Sequence, residues 1–194
     1  MKKPIYVSII ILGLFAFASC FAFSYYEYIE NASLSFENQG AAAIAPMPLP
    51  SILMIPKLNL NTKVEFVGVT DDGKMATPDD PANVGWYKFG AVPGAIGSAV
   101  IAGHLDQEDG SAAAFANLSR LEVGDEIFVI NEKGEKLSFV VTQKKAYDYN
   151  DADTSAVFGT STTPRLNLIT CNGTWLSAKG NYAKRLVVFT ELKN

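Results

Sequence analysis

The chain has 194 residues, a formal net charge of −4 and one histidine. With an apolar N-terminal stretch set aside, it is one domain's length, long enough to bury a core without disulfides, and two cysteines make no disulfide framework. Beyond Lys2 and Lys3 the chain holds 14 basic against 20 acidic residues, a net of −6, with no basic patch, which argues against nucleic acid as a partner.

Ile5 to Phe23 is a run of 19 residues without a charged side chain. As a helix it spans about 28 Å, close to the hydrocarbon thickness of a bilayer. Lys2 and Lys3 precede it and Glu27 and Glu30 follow it, which favours an N-terminus inside and the remaining chain outside. Tyr25, Tyr26 and Tyr28 suit an interfacial belt. Two readings compete with an anchor: a signal peptide cleaved at Ala16-Phe17-Ala18, and a lipoprotein signal ending at Cys20. The apolar run continues through Phe21 and Phe23, and Phe17 is awkward three positions before Cys20. An uncleaved transmembrane helix is therefore the expectation, with residues 1–4 inside and 5–23 spanning. Residues 24–50, with Ala41-Ala42-Ala43 and Pro46, Pro48 and Pro50, form a spacer, and 51–194 form the folded domain.

Within the domain the pattern is mainly β. Ile52 to Ile55 is a short apolar run stopped by Pro56. Val64 to Val69 alternates and runs into the turn Asp71-Asp72-Gly73. Ser98 to Ala102 reads as a buried strand between Gly97 and Gly103. Ile127–Ile130 and Leu137–Val141 flank the hairpin signal Asn131-Glu132-Lys133-Gly134-Glu135. Leu166–Thr170 and Leu186–Phe189 complete the strands, and alanine-rich Ser111–Leu118 is the one predicted helix. Short strands with turn signals between them predict a closed or partly closed barrel.

The chemistry gathers at strand ends. Asn167, Ile169 and Cys171 share one strand face, with the thiol at the strand's end before a predicted turn at Asn172-Gly173. Arg185, 14 residues on, opens the next strand. If the two pair antiparallel, thiol and guanidinium meet at one sheet edge, and the long connection walls a cleft. A guanidinium carries a permanent charge and a fork of donors suited to an oxyanion or to substrate carbonyls. His104 follows Gly103 at another strand end, placed to act as base or acid beside the thiol. Taken singly, such a cysteine is commonly an inert small apolar residue and such an arginine a surface charge; the three together point to thiolate attack on an amide.

Other chemistries find less support. Asp106, Glu108 and Asp109 in one loop, and Asp148, Asp151 and Asp153 in another, do not match the twelve-residue calcium loop and read as solvated loop charge. The ligands of a zinc site are lacking, there is no phosphate-binding glycine loop, and no cofactor is expected. Asn172-Gly173-Thr174 matches a glycosylation sequon, but a glycan there would block the proposed site.

Leu168-Ile169-Thr170-Cys171 resembles the strand-end signature of the sortases, Gly103-His104 resembles their histidine motif, and Arg185 falls where their arginine would. Met54-Ile55-Pro56-Lys57-Leu58 is similar to the family's opening strand. Phe115-x-x-Leu118-x-x-Leu121-x-x-Gly124-Asp125 is also typical. Gly85-Trp86-Tyr87, Pro93-Gly94 and Gly97 through Asp106 are most similar to class E and class F members. The resemblance covers most of the domain. It implies an eight-stranded β-barrel with one or two short helices and cysteine transpeptidation. Such enzymes cut a sorting signal of the Leu-Pro-x-Thr-Gly kind, near the C-terminus of a secreted protein, between Thr and Gly. Carried over, Cys171 forms the thioacyl enzyme, and His104 protonates the leaving amine and deprotonates the incoming one. Arg185 positions substrate and stabilises developing charge, and Thr170 supports substrate beside Cys171. The acyl acceptor is an amine of a cell-wall precursor or another protein. The expected location is a bacterial cell membrane, with the catalytic domain extracellular. No lid motif is evident ahead of the domain, which argues mildly against the pilus-polymerising class. A membrane-anchored cysteine hydrolase and a non-catalytic peptide-binding barrel are the rival functions.

Overall fold

The computed structural model describes residues 47–151 and 154–193. The expected membrane helix and all but the end of the spacer lie outside the described residues. The strands are β1 (Pro50–Ile55), β2 (Leu60–Val67), β3 (Val84–Tyr87), β4 (Gly97–Gly103), β5 (Glu126–Asn131), β6 (Lys136–Asp148), β7 (Pro164–Leu176) and β8 (Asn181–Leu192). They close a barrel in the order β1-β2-β3-β4-β7-β8-β6-β5, with β5 returning to β1. The pairs β2–β3 and β4–β7 are parallel and the remaining neighbours antiparallel.

Alternation along each strand fills the interior. Leu53 and Ile55 on β1, Ala99 and Ile101 on β4, Leu166 and Leu168 on β7, and Leu186 and Val188 on β8 point into one core. Phe115, Leu118 and Leu121 plug it from the connection after β4, and all three are fully buried. Their spacing of three residues explains why the predicted helix over Ser111–Leu118 does not form. A period of three suits a 3₁₀ turn, which is found at Leu118–Arg120. The preceding alanines are drawn into turn and bridge structure, with Ala112 paired to Asp106, so packing overrides alanine's helix propensity.

Helix appears instead at α1 (Ser155–Phe158), a single turn with no sequence signal of its own. It covers the outer wall of the barrel. There Val100 of β4, Val157 of α1 and Val187 of β8 form a second buried cluster, with Ile169, Tyr87, Phe158 and Met75 packed against it. Asn167, fully buried on the outer face of β7, pins the turn by donating from Nδ2 to the Val157 carbonyl at 2.7 Å. β4, β7 and β8 are thus buried on both faces over this stretch, inward to the core and outward to α1. The outer apolar stripe runs along these strands toward their ends.

Candidate active site

The cysteine lies within its strand, not at its end. β7 continues through Cys171 to Leu176, and β8 begins at Asn181, so Arg185 is its fifth residue. The predicted turn at Asn172-Gly173 is instead an irregularity in the ladder, where the register shifts between Asn172 and Trp175. Gly173 takes a positive φ of 81° there, which glycine alone adopts without strain. The predicted long connecting loop becomes a two-stranded hairpin closed at Ser177–Gly180.

The pairing puts the chemistry in one row. Cys171 and Arg185 are direct cross-strand partners, so their side chains leave the same face of the sheet. On the other flank, β4 runs parallel to β7 with Ala102 beside Ile169. That pair is the last of the ladder, and His104 follows the end of β4 at Gly103 toward the same edge as Cys171. Strands lie about 4.8 Å apart, so imidazole, thiol and guanidinium occupy three neighbouring tracks with the sulfur in the middle. All three line one cleft of about 110 Å³, walled by Met75, Thr77, Phe158 and Ile169. The cleft lies on the barrel's outer face, beside Phe158 of α1. Beyond Arg185 it continues into a second hollow lined by Tyr147, Asp148 and Tyr149, which shares Phe158, Ile169 and Arg185 with the first. A larger depression of about 590 Å³ over β6, β7 and β8 contains neither thiol nor imidazole.

Each side chain is held. The glycine before His104 is required by packing: a Cβ at Gly103 would lie 2.6 Å from the ring of Phe115. That ring is pressed under the backbone, and the Phe115 amide donates to the His104 carbonyl at 2.9 Å. Nε2 of His104 lies 3.1 Å from the carbonyl oxygen of Pro78. A carbonyl only accepts, so this contact requires Nε2 to carry a hydrogen, and in the neutral ring the lone pair is then on Nδ1. Thr170 is buried, and its hydroxyl donates to the Gly103 carbonyl at 2.8 Å, tying the base of the cysteine strand to that of the histidine. Its hydroxyl is thus engaged with the protein backbone, although the residue also lines the cleft. Arg185 donates through Nη1 to the carbonyls of Tyr182 and Lys184, at 3.3 and 3.0 Å, and through Nη2 to Oδ1 of Asn181 at 2.7 Å.

Burial is the main influence on the thiol and pushes its pKa up from the ordinary value. The Arg185 guanidinium pulls it back, and the Asp106 carboxylate adds to the rise. The net direction is upward, which favours the protonated thiol over the thiolate.

The acidic residues divide. Asp106, expected as solvated loop charge, accepts a hydrogen bond from the Tyr182 hydroxyl beside the cleft. Asp109 caps its own loop by accepting from the Ser111 amide at 2.9 Å, and Asp153 lies outside the described residues. Sequence reading missed Pro78, Phe158, Asn181 and Tyr182. Tyr182, an odd number of residues from Arg185 on a strand, carried no periodic signal toward the same cleft.

A family model for the sortase domain matches residues 53–193. Among solved structures, a lid mutant of sortase A from Corynebacterium diphtheriae superposes with a TM-score of 0.60 at 21% identity, covering 83% of this chain and 78% of that one. Sortase C1 from Streptococcus agalactiae gives 0.59 at 20% identity, covering 78% and 71%. Sortase C from Clostridium perfringens SM101 gives 0.56 at 18% identity, covering 76% and 71%. At these identities the superpositions speak to the fold. Comparison with curated proteins finds no match.

Proposed function

The chain belongs to the sortase family of cysteine transpeptidases, and from that premise we propose that Cys171, His104 and Arg185 carry its reaction on a C-terminal sorting signal. The observation that carries the assignment is the cross-strand pairing of Cys171 with Arg185 in a cleft that also holds His104.

The proposed cycle conserves the thiol. The Cys171 proton passes to Nδ1 of His104 as sulfur attacks the carbonyl carbon of a Thr–Gly bond in a Leu-Pro-x-Thr-Gly-like peptide. The oxyanion faces the Arg185 fork, whose charge stabilises it. The carbon–nitrogen bond breaks, the amine leaves with the proton from Nδ1, and a thioester remains on Cys171. An amine of a cell-wall precursor or protein then attacks the thioester and gives its proton to His104. A new amide forms and the thiol is restored. The apolar walls Met75, Phe158 and Ile169 suit the leucine and proline of such a signal, and the groove running past Arg185 suits an extended peptide.

The residues Gly85-Trp86-Tyr87, Pro93-Gly94 and Gly97 through Asp106 support placement with class E or class F. The charge distribution around Ile5–Phe23 supports a single-pass anchor with the N-terminus inside and the domain outside the cell. Thr170 acts in this scheme through the Gly103 carbonyl, by holding the two strands that frame the substrate.

The test is turnover of fluorogenic sorting peptides with and without an added amine. Wild type is expected to yield the amide adduct, and Cys171→Ala to yield nothing while retaining its melting temperature. Cleavage by Cys171→Ala removes the nucleophile assignment. Hydrolysis unchanged by any amine replaces transpeptidation with a hydrolase.

A further inference from the structure

The three reactive side chains come from separate pieces of chain, and one residue touches all three pieces. Tyr182 lies on β8, three positions before Arg185, and its carbonyl accepts from Nη1 of that arginine at 3.3 Å. Its ring meets Trp175 edge-on across the hairpin, with centroids 5.1 Å apart, and Trp175 follows Cys171 by four positions on β7. Its hydroxyl donates to Oδ2 of Asp106, two residues beyond His104. Asp106 also bridges to Ala112, and the Gln107 amide donates to the Ser111 carbonyl at 2.9 Å, so residues 106–112 form a closed unit. The hydroxyl–carboxylate bond joins that unit to the β7–β8 hairpin across 76 residues of sequence.

We propose that Asp106 and Tyr182 are positioning residues for the transpeptidation, their hydrogen bond latching the loop that bears His104 onto the hairpin that bears Cys171 and Arg185. The inference rests on the assignment of those three residues to the reaction. Beyond Gly103 the chain has left β4, so His104 has no ladder of its own to set its height in the cleft. A hydrogen bond to a carboxylate is among the stronger neutral-to-ionic contacts. The Asp106 bond, helped by burial, also holds the Tyr182 phenol above its ordinary pKa, which keeps it a donor throughout the working range. Activation of the thiol is not what this carboxylate supplies, because its charge opposes thiolate formation. Holding the loop is the function left to it.

The test uses the folded protein with Tyr182→Phe, Asp106→Ala, Asp106→Asn and the double variant Tyr182→Phe/Asp106→Ala. Amide hydrogen exchange over residues 104–112 reads the latch directly, and kcat and KM for a sorting peptide read its consequence. Tyr182→Phe keeps the ring and its contact with Trp175, and Asp106→Asn tests the same bond without touching the ring. Tyr182→Phe and Asp106→Ala are expected to exchange faster in that loop and to lose about tenfold in kcat with KM within about twofold. The double variant is expected to be no worse than either single, and Asp106→Asn, which keeps an acceptor oxygen, to recover most of the loss. Unchanged kcat in Tyr182→Phe, with or without faster exchange, overturns the proposal. So does a loss confined to KM, or losses that multiply in the double variant. A loosened loop and lowered kcat in Tyr182→Phe, with Cys171→Ala still active, keeps the latch and removes the nucleophile assignment instead.

Discussion

Cys171 and Arg185 reach the cleft on paired strands, whereas His104 reaches it on the chain just beyond one. The ladder of β7 and β8 sets the first two against each other through backbone pairing that side-chain changes other than to proline leave in place. His104 depends on side chains and loops: the Phe115 ring beneath Gly103, the Pro78 carbonyl at Nε2 and the Asp106–Tyr182 bond. Two strategies of placement therefore meet in one site. The strand-borne half should be robust in geometry and sensitive only to the identity of its functional groups. The loop-borne half should be sensitive to its surroundings as well.

The largest expected effects are shared by both halves and define the scale. His104→Ala is expected to lower kcat with a sorting peptide by about 10⁴-fold, the upper range for a general acid–base. Its melting temperature should stay within a few degrees of wild type, because the ring is only partly buried and its one described side-chain partner is a backbone carbonyl. A loss smaller than tenfold would leave proton transfer without this imidazole and break the comparison at its base.

Arg185→Lys and Arg185→Ala come next and sharpen the strand-borne half. The fork of Arg185 reaches three acceptors, and an ammonium on a single stem cannot reproduce that geometry. Lysine at this position is expected to lose about 10²-fold in kcat and alanine about 10³-fold, the range for removing a preorganised oxyanion donor. A lysine variant with wild-type kcat would mean that charge alone suffices.

What the sequence disclosed follows the same division. The alternation of β7 placed Cys171 on one face with Asn167 and Ile169, and an antiparallel pairing with the strand of Arg185 was the condition for the two to share an edge. Those are local patterns of period two, and folding preserved them. The strand ends were misplaced, because both faces of the hairpin tip are exposed or half-exposed and period-two contrast fades there. The helix over Ser111–Leu118 was misread because its composition favoured α while its apolar spacing of three favoured a tighter turn. Pro78 and Tyr182 had no signal, since each meets the site through contacts at 26 and 76 residues' separation. The resemblance carried by Gly103-His104 and Thr170-Cys171 pointed to residues that meet in one cleft but not to what holds the histidine.

Two smaller substitutions compare the supports. Gly103→Ala forces a methyl against Phe115, and overpacking of this kind costs about 1–3 kcal/mol. Because the displaced backbone carries His104, kcat should fall about tenfold alongside a melting temperature several degrees lower. Asn167→Ala, on the strand-borne side, removes the donor to the Val157 carbonyl and loosens α1, costing about 1–3 kcal/mol. Its kcat should change less than threefold, with the loss appearing in KM as Phe158 shifts at the cleft wall. Equal kcat losses in the two variants would erase the distinction between strand-borne and loop-borne placement.

The smallest expected effect concerns the thiol's protonation, where both halves act on one atom in opposite senses. Alkylation of Cys171 by iodoacetamide follows the thiolate fraction, so its rate against pH reports the thiol pKa. Burial sets that pKa high, Arg185 lowers it and Asp106 raises it. Removing the positive charge in Arg185→Ala takes away a stabiliser of the thiolate, so the profile moves to higher pH. Removing the negative charge in Asp106→Asn takes away a destabiliser, so the profile moves to lower pH and the thiol alkylates faster at neutral pH. Arg185→Lys keeps the charge and should leave the profile near that of wild type even as kcat falls. This separates the electrostatic influence of the position from its geometric one. Shifts of the same sign in Arg185→Ala and Asp106→Asn would mean that substitution acts through exposure of the cleft, and the strand-borne charge and the loop-borne charge would no longer be opposing controls on the sulfur.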